Sequence, residues 1–215
     1  MRRRAILLVP LYVGLIVGGW LVGDGLVGVV EVDVRPSNEA RVHAMIMTTT
    51  AVYMLASAVP FVPGAEIGLA LMLTLGPPIA LLVYLSMVVA LTTAYLVGRF
   101  VPLAFIAAVF AFFGLERARR LVAEMVPLDG EARLALLTER APPRFIPLLL
   151  GHRYVTLAVL LNVPGNTLIG GGGGIALVAG MSGVYSFARY LATVGIAVAP
   201  VPLLVMTTGY MPGLY

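Results

Sequence analysis

The sequence predicts an all-α polytopic membrane protein made of two inverted-topology repeats, each a re-entrant hairpin plus a spanning helix. Three observations predict it. Of 215 residues, 60% are hydrophobic and 11% are charged, and the mean hydropathy is +1.03, a balance set by lipid as the solvent. Two apolar passages are interrupted by the same proline–glycine element, V-P-G-A at Val62–Ala65 and V-P-G-N at Val163–Asn166. The arginines then give each passage a direction, because basic loops are retained in the cytoplasm.

Taken in order, Arg2, Arg3 and Arg4 precede an apolar run of about 18 residues, which suits a spanning helix over 5–23 better than a shorter signal-peptide core. The small-residue end of this run, GGWLVGDG, lacks a clean cleavage signature, so the helix is expected to remain uncleaved. The segment from Asp24 to Arg41 carries Asp24, Glu31, Asp33 and Glu39 against Arg35 and Arg41. It is placed outside, and the N-terminus is cytoplasmic.

The first repeat covers 42–113. An apolar passage from His43 to Val59 leads into the hairpin, with Pro63 and Gly64 at its tip. The run IALLVYLSMVVALTTAYLVGR follows as a spanning helix ending at Gly98 and Arg99. The piece from Pro102 to Phe113 is too short to span alone and either continues that helix or lies at the interface. Between Gly114 and Arg153 seven arginines stand against five acids. The polar loop 114–144 is therefore cytoplasmic and is expected to form one or two amphipathic helices joined near Pro127–Gly130.

The second repeat, 145–210, restates the first. Pro164 follows Pro63 by 101 residues, and the same offset carries Val62 to Val163, Gly64 to Gly165, and Val83–Tyr84 to Val184–Tyr185. The first hairpin enters and leaves from outside, so the helix through Tyr84 runs inward and the helix through Tyr185 runs outward. The halves thus have inverted topology, and the C-terminus lies outside. Residues 1–215 form one integral membrane domain on this reading. Broken apolar segments at corresponding positions of inverted halves point to a transporter with its site near the midplane.

The second hairpin continues into five consecutive glycines, Gly170–Gly174. With Pro164 and Gly165 they are expected to allow the turn and the close approach of the hairpin arms. The alternative for the run alone is a smooth face for tight helix packing.

Glu66 is the leading candidate site residue. A carboxylate in an apolar stretch is costly and faces the bundle interior or a water-filled cavity, where it can serve as a protonatable group. Arg99 and Arg153 fall at cytoplasmic helix ends, where snorkelling to phosphates is the ordinary role. Arg189 lies deeper on this topology and is a candidate for an anionic headgroup. Asn162, Asn166 and Thr167 flank the second tip, where their amide and hydroxyl groups can serve a phosphate or cap broken helices.

Several functions are excluded. The net charge of +4 comes from arginines split between the N-terminus and one central loop with acids interleaved, so no nucleic-acid stripe can be drawn. Without cysteine there is no thiolate nucleophile or disulfide framework. The G-M-S-G at Gly180–Gly183 has the form of an intramembrane serine protease motif, but His43 and His152, the only histidines, both precede it. All 14 basic residues are arginine, so the glycine run cannot form a lysine-containing phosphate loop. No metal-ligand spacing is present, and no enzyme activity, metal or cofactor is expected.

From Pro60 to Pro202 the chain also resembles a family. The P-G hairpin, the glycine-rich apolar helix and the Y-L-V-G-R of Tyr95–Arg99 look like the first half of the DedA and VTT-domain (SNARE-associated) membrane proteins. RYVTLAVLLNVPGNTLIGGGGGIAL with FARYLATVGIAVAPVP is similar to their second half. The resemblance implies two facing re-entrant hairpins and movement of phospholipids or polyprenyl-phosphate carriers between leaflets, in bacteria often with proton coupling. It implies Glu66 as the acidic residue of the first hairpin and Arg153 as the arginine preceding the second.

The expected function is therefore translocation of an anionic lipid, a phospholipid or polyprenyl phosphate. Glu66 would be the protonatable group, Arg153 and Arg189 the phosphate contacts, and the tips would line a shared cavity. A small-drug or ion transporter on the same fold is the alternative, and a non-transporting scaffold that recruits a partner through its LERARR loop is a third. Membrane lipids are the expected partners, and a homo-oligomer is compatible with the sequence. The arginine-only basic set, with its Ala, Gly, Val and Pro richness, points to a high-GC bacterial genome and so to a bacterial plasma membrane.

Overall fold

A computed structural model describes residues 39–140, 152–163 and 165–208. The expected first helix over 5–23, residues 141–151, Pro164 and the segment beyond 208 lie outside the described residues. The described chain is helical and contains no strand. Its α-helices are α1 (Glu39–Ala58), α2 (Gly64–Leu75), α3 (Ala80–Phe100), α4 (Leu103–Phe112), α5 (Glu116–Met125) and α6 (Gly130–Arg140). They continue with α7 (Arg153–Asn162), α8 (Gly171–Ser182), α9 (Phe187–Val198) and α10 (Pro200–Thr208), and 3-10 turns occupy Pro77–Ile79 and Asn166–Ile169.

The chain divides into two compact units. Among the described residues, one takes 39–49 with Pro102–Val126, and the other Thr50–Val101 with 127–140, 152–163 and 165–208. In the first, α4 and α5 form a short hairpin. Gly114 adopts φ 73° at the turn, and the Leu115 N–H bonds the Phe110 carbonyl at 2.9 Å. α5 buries Val122 and Met125, while Arg119 pairs with Glu116 at 2.8 Å on its outer side. The apolar piece after Pro102 therefore does not continue the spanning helix. α3 ends at Phe100, and Pro102, which has no N–H to extend that helix, opens α4 as a separate one.

The second unit is organised around α3. The stretch Pro77–Phe100, 24 residues long, is long and apolar enough to cross a membrane. One side is buried through Val83, Met87, Leu91, Tyr95 and Gly98, yet the opposite side, Leu81, Leu85, Val89 and Val97, is equally apolar and exposed. A helix apolar all round but covered on one side needs a second apolar environment.

α9 runs antiparallel to α3 in a fixed register. The Tyr84 hydroxyl donates to the Gly195 carbonyl at 3.1 Å, Tyr190 to Leu91 at 2.9 Å, and Tyr95 to Tyr185 at 2.7 Å. Each phenol places a polar tip on a backbone carbonyl and leaves its ring in apolar surroundings. Tyr95 and Tyr190 also stack, with centroids 4.0 Å apart.

α8 runs parallel to α3. Gly98 lies against Leu177 and Met181, Gly180 against Tyr95 and Arg99, and Gly172 against Met87 and Leu91. A methyl group at Gly98 would meet the Leu177 carbonyl oxygen, and one at Gly180 the Tyr95 carbonyl oxygen. Small residues let the two backbones approach closely.

The counterpart of α3 in the second half is not a straight helix. α9 and α10 together have the length and apolarity to cross a membrane, but they meet at a 40° bend. Pro200 supplies no N–H to Ile196, and the Ala199 N–H bonds Ile196 instead of Gly195. Val184 and Tyr185, expected within this helix, precede it in a non-helical connection, because α9 begins only at Phe187.

Candidate functional site

Both V-P-G elements break the helical path. α1 ends at Ala58, the chain turns through Val59–Pro63, and α2 starts at Gly64. In the second half α7 ends at Asn162, Gly165 adopts φ 74°, and a 3-10 turn leads to α8. The breaks meet each other. The Phe61 N–H donates to the Gly170 carbonyl at 2.6 Å, and Gly171 and Gly173 lie on the Val62 and Ala58 carbonyls.

This contact accounts for the glycine run. Gly171–Gly174 form the first turn of α8 and not the hairpin turn, and they are buried. A methyl at Gly173 would fall 2.6 Å from the Ala58 oxygen, and one at Gly171 2.7 Å from the Val62 oxygen. The close approach is thus between the two hairpins as well as within one. Gly172 packs beside Met87 and Leu91, so the tips meet at the middle of α3.

Next to the tips lies a cavity of about 270 Å³. Glu66, Asn162, Asn166, Tyr53 and Tyr84 supply its polar lining, and residues such as Met72 and Val198 the apolar remainder. Glu66 stands in the first turn of α2, where the helix dipole favours a negative charge. Its carboxylate is exposed and carries no protein hydrogen bond among the described residues.

The other polar groups are held by backbone carbonyls at or near the helix breaks. Asn162 donates through Nδ2 to Ala158 and Ala197, both at 2.9 Å, and so bridges the end of α7 to the α9–α10 bend. Asn166, 5% exposed, donates through Nδ2 to Leu160 at 3.4 Å and Leu161 at 2.9 Å, capping α7. Tyr84 takes the Gly195 carbonyl that Ala199 leaves, and Tyr53 donates to the Gly64 carbonyl at 3.1 Å. Broken helices survive inside apolar surroundings only when such donors reach them.

A second group of polar residues lies at the far end of α7. Arg153 opens the helix, with its guanidinium 5.4 Å from the Tyr154 ring centroid. The Tyr154 hydroxyl contacts Ser186 Oγ and accepts from the Ser186 N–H, both at 3.3 Å. Arg189 follows in the first turn of α9 and is exposed. The unwound Gly183–Ser186 segment precedes it.

Arg99 Nη1 bonds the Gly183 carbonyl at 3.0 Å and Arg133 Nη1 the Met181 carbonyl at 3.1 Å, so two guanidiniums cover the C-terminus of α8. In the same connection Tyr185 donates to the Arg153 carbonyl at 3.2 Å. Burial pushes its hydroxyl pKa up to about 12, against the opposing pull of the Arg153 cation.

The residues predicted from sequence therefore fall into two groups. Glu66, Asn162 and Asn166 share the cavity, while Arg153 and Arg189 stand at the other end of α7, roughly 14 Å away at 1.5 Å per helical residue. Gly64 is buried under Tyr53 and Ser57, Pro63 precedes it, and Gly165 is exposed. Thr167 lies in the 3-10 turn, where its carbonyl accepts from Gly170 at 3.3 Å. Pro164 is outside the described residues. Sequence reasoning missed Tyr53 and Tyr84 as cavity residues, although a phenol inside an apolar run is a legible sign that a polar partner awaits it.

No protein-family model, curated protein or solved structure matches the chain.

Proposed function

We propose that the chain is a multi-pass membrane transporter with two inverted re-entrant hairpins, similar to DedA and VTT-domain proteins, that moves an anionic lipid between leaflets of a bacterial plasma membrane. One observation carries the reading: two proline–glycine breaks meet beside the middle of a helix long enough to span, next to a cavity that holds a carboxylate. Anchoring alone needs neither the breaks nor the carboxylate. The directions of the helices support inversion, since α2 folds back on α3 through the Gly68–Val83 contact while α8 runs parallel to α3. The lipid phosphate is assigned to Arg153 and Arg189 at the end of α7, and Glu66 to a protonatable role in the cavity.

A second reading is a drug or ion transporter, favoured by one fact: among the described residues, Glu66 is the only charged one lining the cavity. Leaflet exchange of fluorescent phospholipid and polyprenyl phosphate in proteoliposomes tests the choice, with wild type compared against Glu66→Gln and Arg189→Ala from pH 6 to 8. Exchange dependent on both residues supports lipid translocation. No exchange above empty liposomes removes that reading and leaves the drug or ion transporter.

A further inference from the structure

The cavity has a chemical polarity of its own. Each Asn amide that lines it has both N–H groups directed at backbone carbonyls: Asn162 to Ala158 and Ala197, Asn166 to Leu160 and Leu161. Two carbonyl neighbours fix which amide atom is nitrogen, so the orientation of each side chain follows from its bonds. What each amide has left is Oδ1, an acceptor. The Tyr84 hydroxyl proton is likewise directed at the Gly195 carbonyl, and that of Tyr53 at the Gly64 carbonyl or Met87 Sδ, so neither phenol has a donor left for the cavity. Glu66 adds two carboxylate oxygens without a protein partner among the described residues.

We infer that this cavity binds a protonated primary amine with an apolar body, because the described side chains around it offer hydrogen-bond acceptors and one negative charge, and no donor. A primary ammonium brings three donors and a positive charge, which matches Glu66 together with the two Oδ1 atoms. An anion meets no side-chain donor there, and the helix dipole at the start of α2 already has Glu66 as its negative group. A divalent metal ion is a poor fit, since no group of three or more His, Asp or Glu is assembled among the described residues. Met72, Val83, Met87 and Val198 supply walls for a hydrocarbon body. The inference rests on the cavity chemistry and does not require that the protein translocate lipid.

The test is calorimetric titration of the full-length protein in detergent with three probes of one shape: benzylammonium, benzyl alcohol and benzoate. Benzylammonium is expected to bind at least about tenfold more tightly than the other two. Glu66→Gln is expected to remove that preference while circular dichroism and thermal unfolding stay unchanged, because the carboxylate is exposed and holds no part of the fold. Equal binding of benzyl alcohol or benzoate, absence of benzylammonium binding by the folded protein, or a preference that survives Glu66→Gln overturns the inference. Repeating the titration in nanodiscs identifies the source of the ammonium. Weaker benzylammonium binding with ethanolamine-headgroup lipid than with choline-headgroup lipid assigns the site to a lipid amine, and equal binding assigns it to a soluble one.

Discussion

The Phe61 N–H and the Gly170 carbonyl, 2.6 Å apart, join the two interrupted hairpins at their breaks. Phe61 adopts φ 69° to make this bond, a conformation that non-glycine residues seldom adopt, and its neighbours hold it there. The contact leaves no room for a side chain at Gly171 or Gly173 on the opposing turn of α8.

Within one glycine run, substitutions should therefore differ. Gly173→Ala places a methyl 2.6 Å from the Ala58 oxygen and 2.8 Å from the Ser57 oxygen, against backbone that cannot swing aside. A loss of about 2–3 kcal/mol is expected. Gly174→Ala meets only Pro60, its Cβ at 3.5 Å and its Cα at 3.7 Å, and gains helix propensity, so its stability should be unchanged or up to about 1 kcal/mol higher. Thermal unfolding of both variants in detergent checks this, and equal effects would refute the tip-to-tip contact.

The bend between α9 and α10 predicts a coupling. Tyr84→Phe removes the donor that reaches the Gly195 carbonyl at 3.1 Å, at a cost of about 1 kcal/mol. Pro200→Ala restores an N–H and lets the helix straighten, so that Ala199 can again bond Gly195. In that background Tyr84→Phe should cost about half as much or less. A denaturant-unfolding double-mutant cycle reads the difference, and strict additivity would mean that Tyr84 does not serve the break.

Much of this arrangement was legible in sequence, for particular reasons. Proline and glycine mark the breaks because each alters backbone options in a way no neighbour can hide, and the 101-residue offset paired them. The length of α3 followed from its unbroken apolar run. Three features could not be read. The start of α9 at Phe187 depends on how Gly183–Ser186 is held by Arg99 and Tyr154, both distant in sequence. The partners of Asn162 and Asn166 are carbonyls, which every residue carries, so an amide serving a phosphate looks the same in sequence as one capping a helix. The separation of Arg153 from Glu66 is likewise a property of packing, because the two are 87 positions apart.

Tyr185 predicts a pH effect. It lies in the Gly183–Ser186 connection, and its pKa of about 12 stands above the ordinary tyrosine value of about 10. The folded protein thus keeps a proton that the unfolded chain loses. Its contribution is constant below about pH 10 and falls as the pH rises from 10 to 12, by about 2–3 kcal/mol in total. The stability advantage of wild type over Tyr185→Phe should be steady from pH 7 to 9 and shrink by pH 11. An advantage that grows with pH would contradict the burial of this hydroxyl.

The roughly 14 Å between the two polar groups along α7 makes their roles separable. If Arg153 and Arg189 receive the phosphate, replacing both with glutamine should slow exchange of a phosphate lipid by about tenfold or more, since each loses a charge-assisted hydrogen bond. The same pair of substitutions should leave benzylammonium binding within about twofold, because neither arginine lines the cavity. Glu66→Gln should remove the preference for the amine. Groups this far apart, with no shared partner, should act additively, so the triple variant should combine the two losses without synergy. Proteoliposome exchange and calorimetry on the same preparations measure both properties. If the arginine variant lost amine binding while remaining folded, the two groups would form a single site, and the phosphate and ammonium assignments would have to be merged.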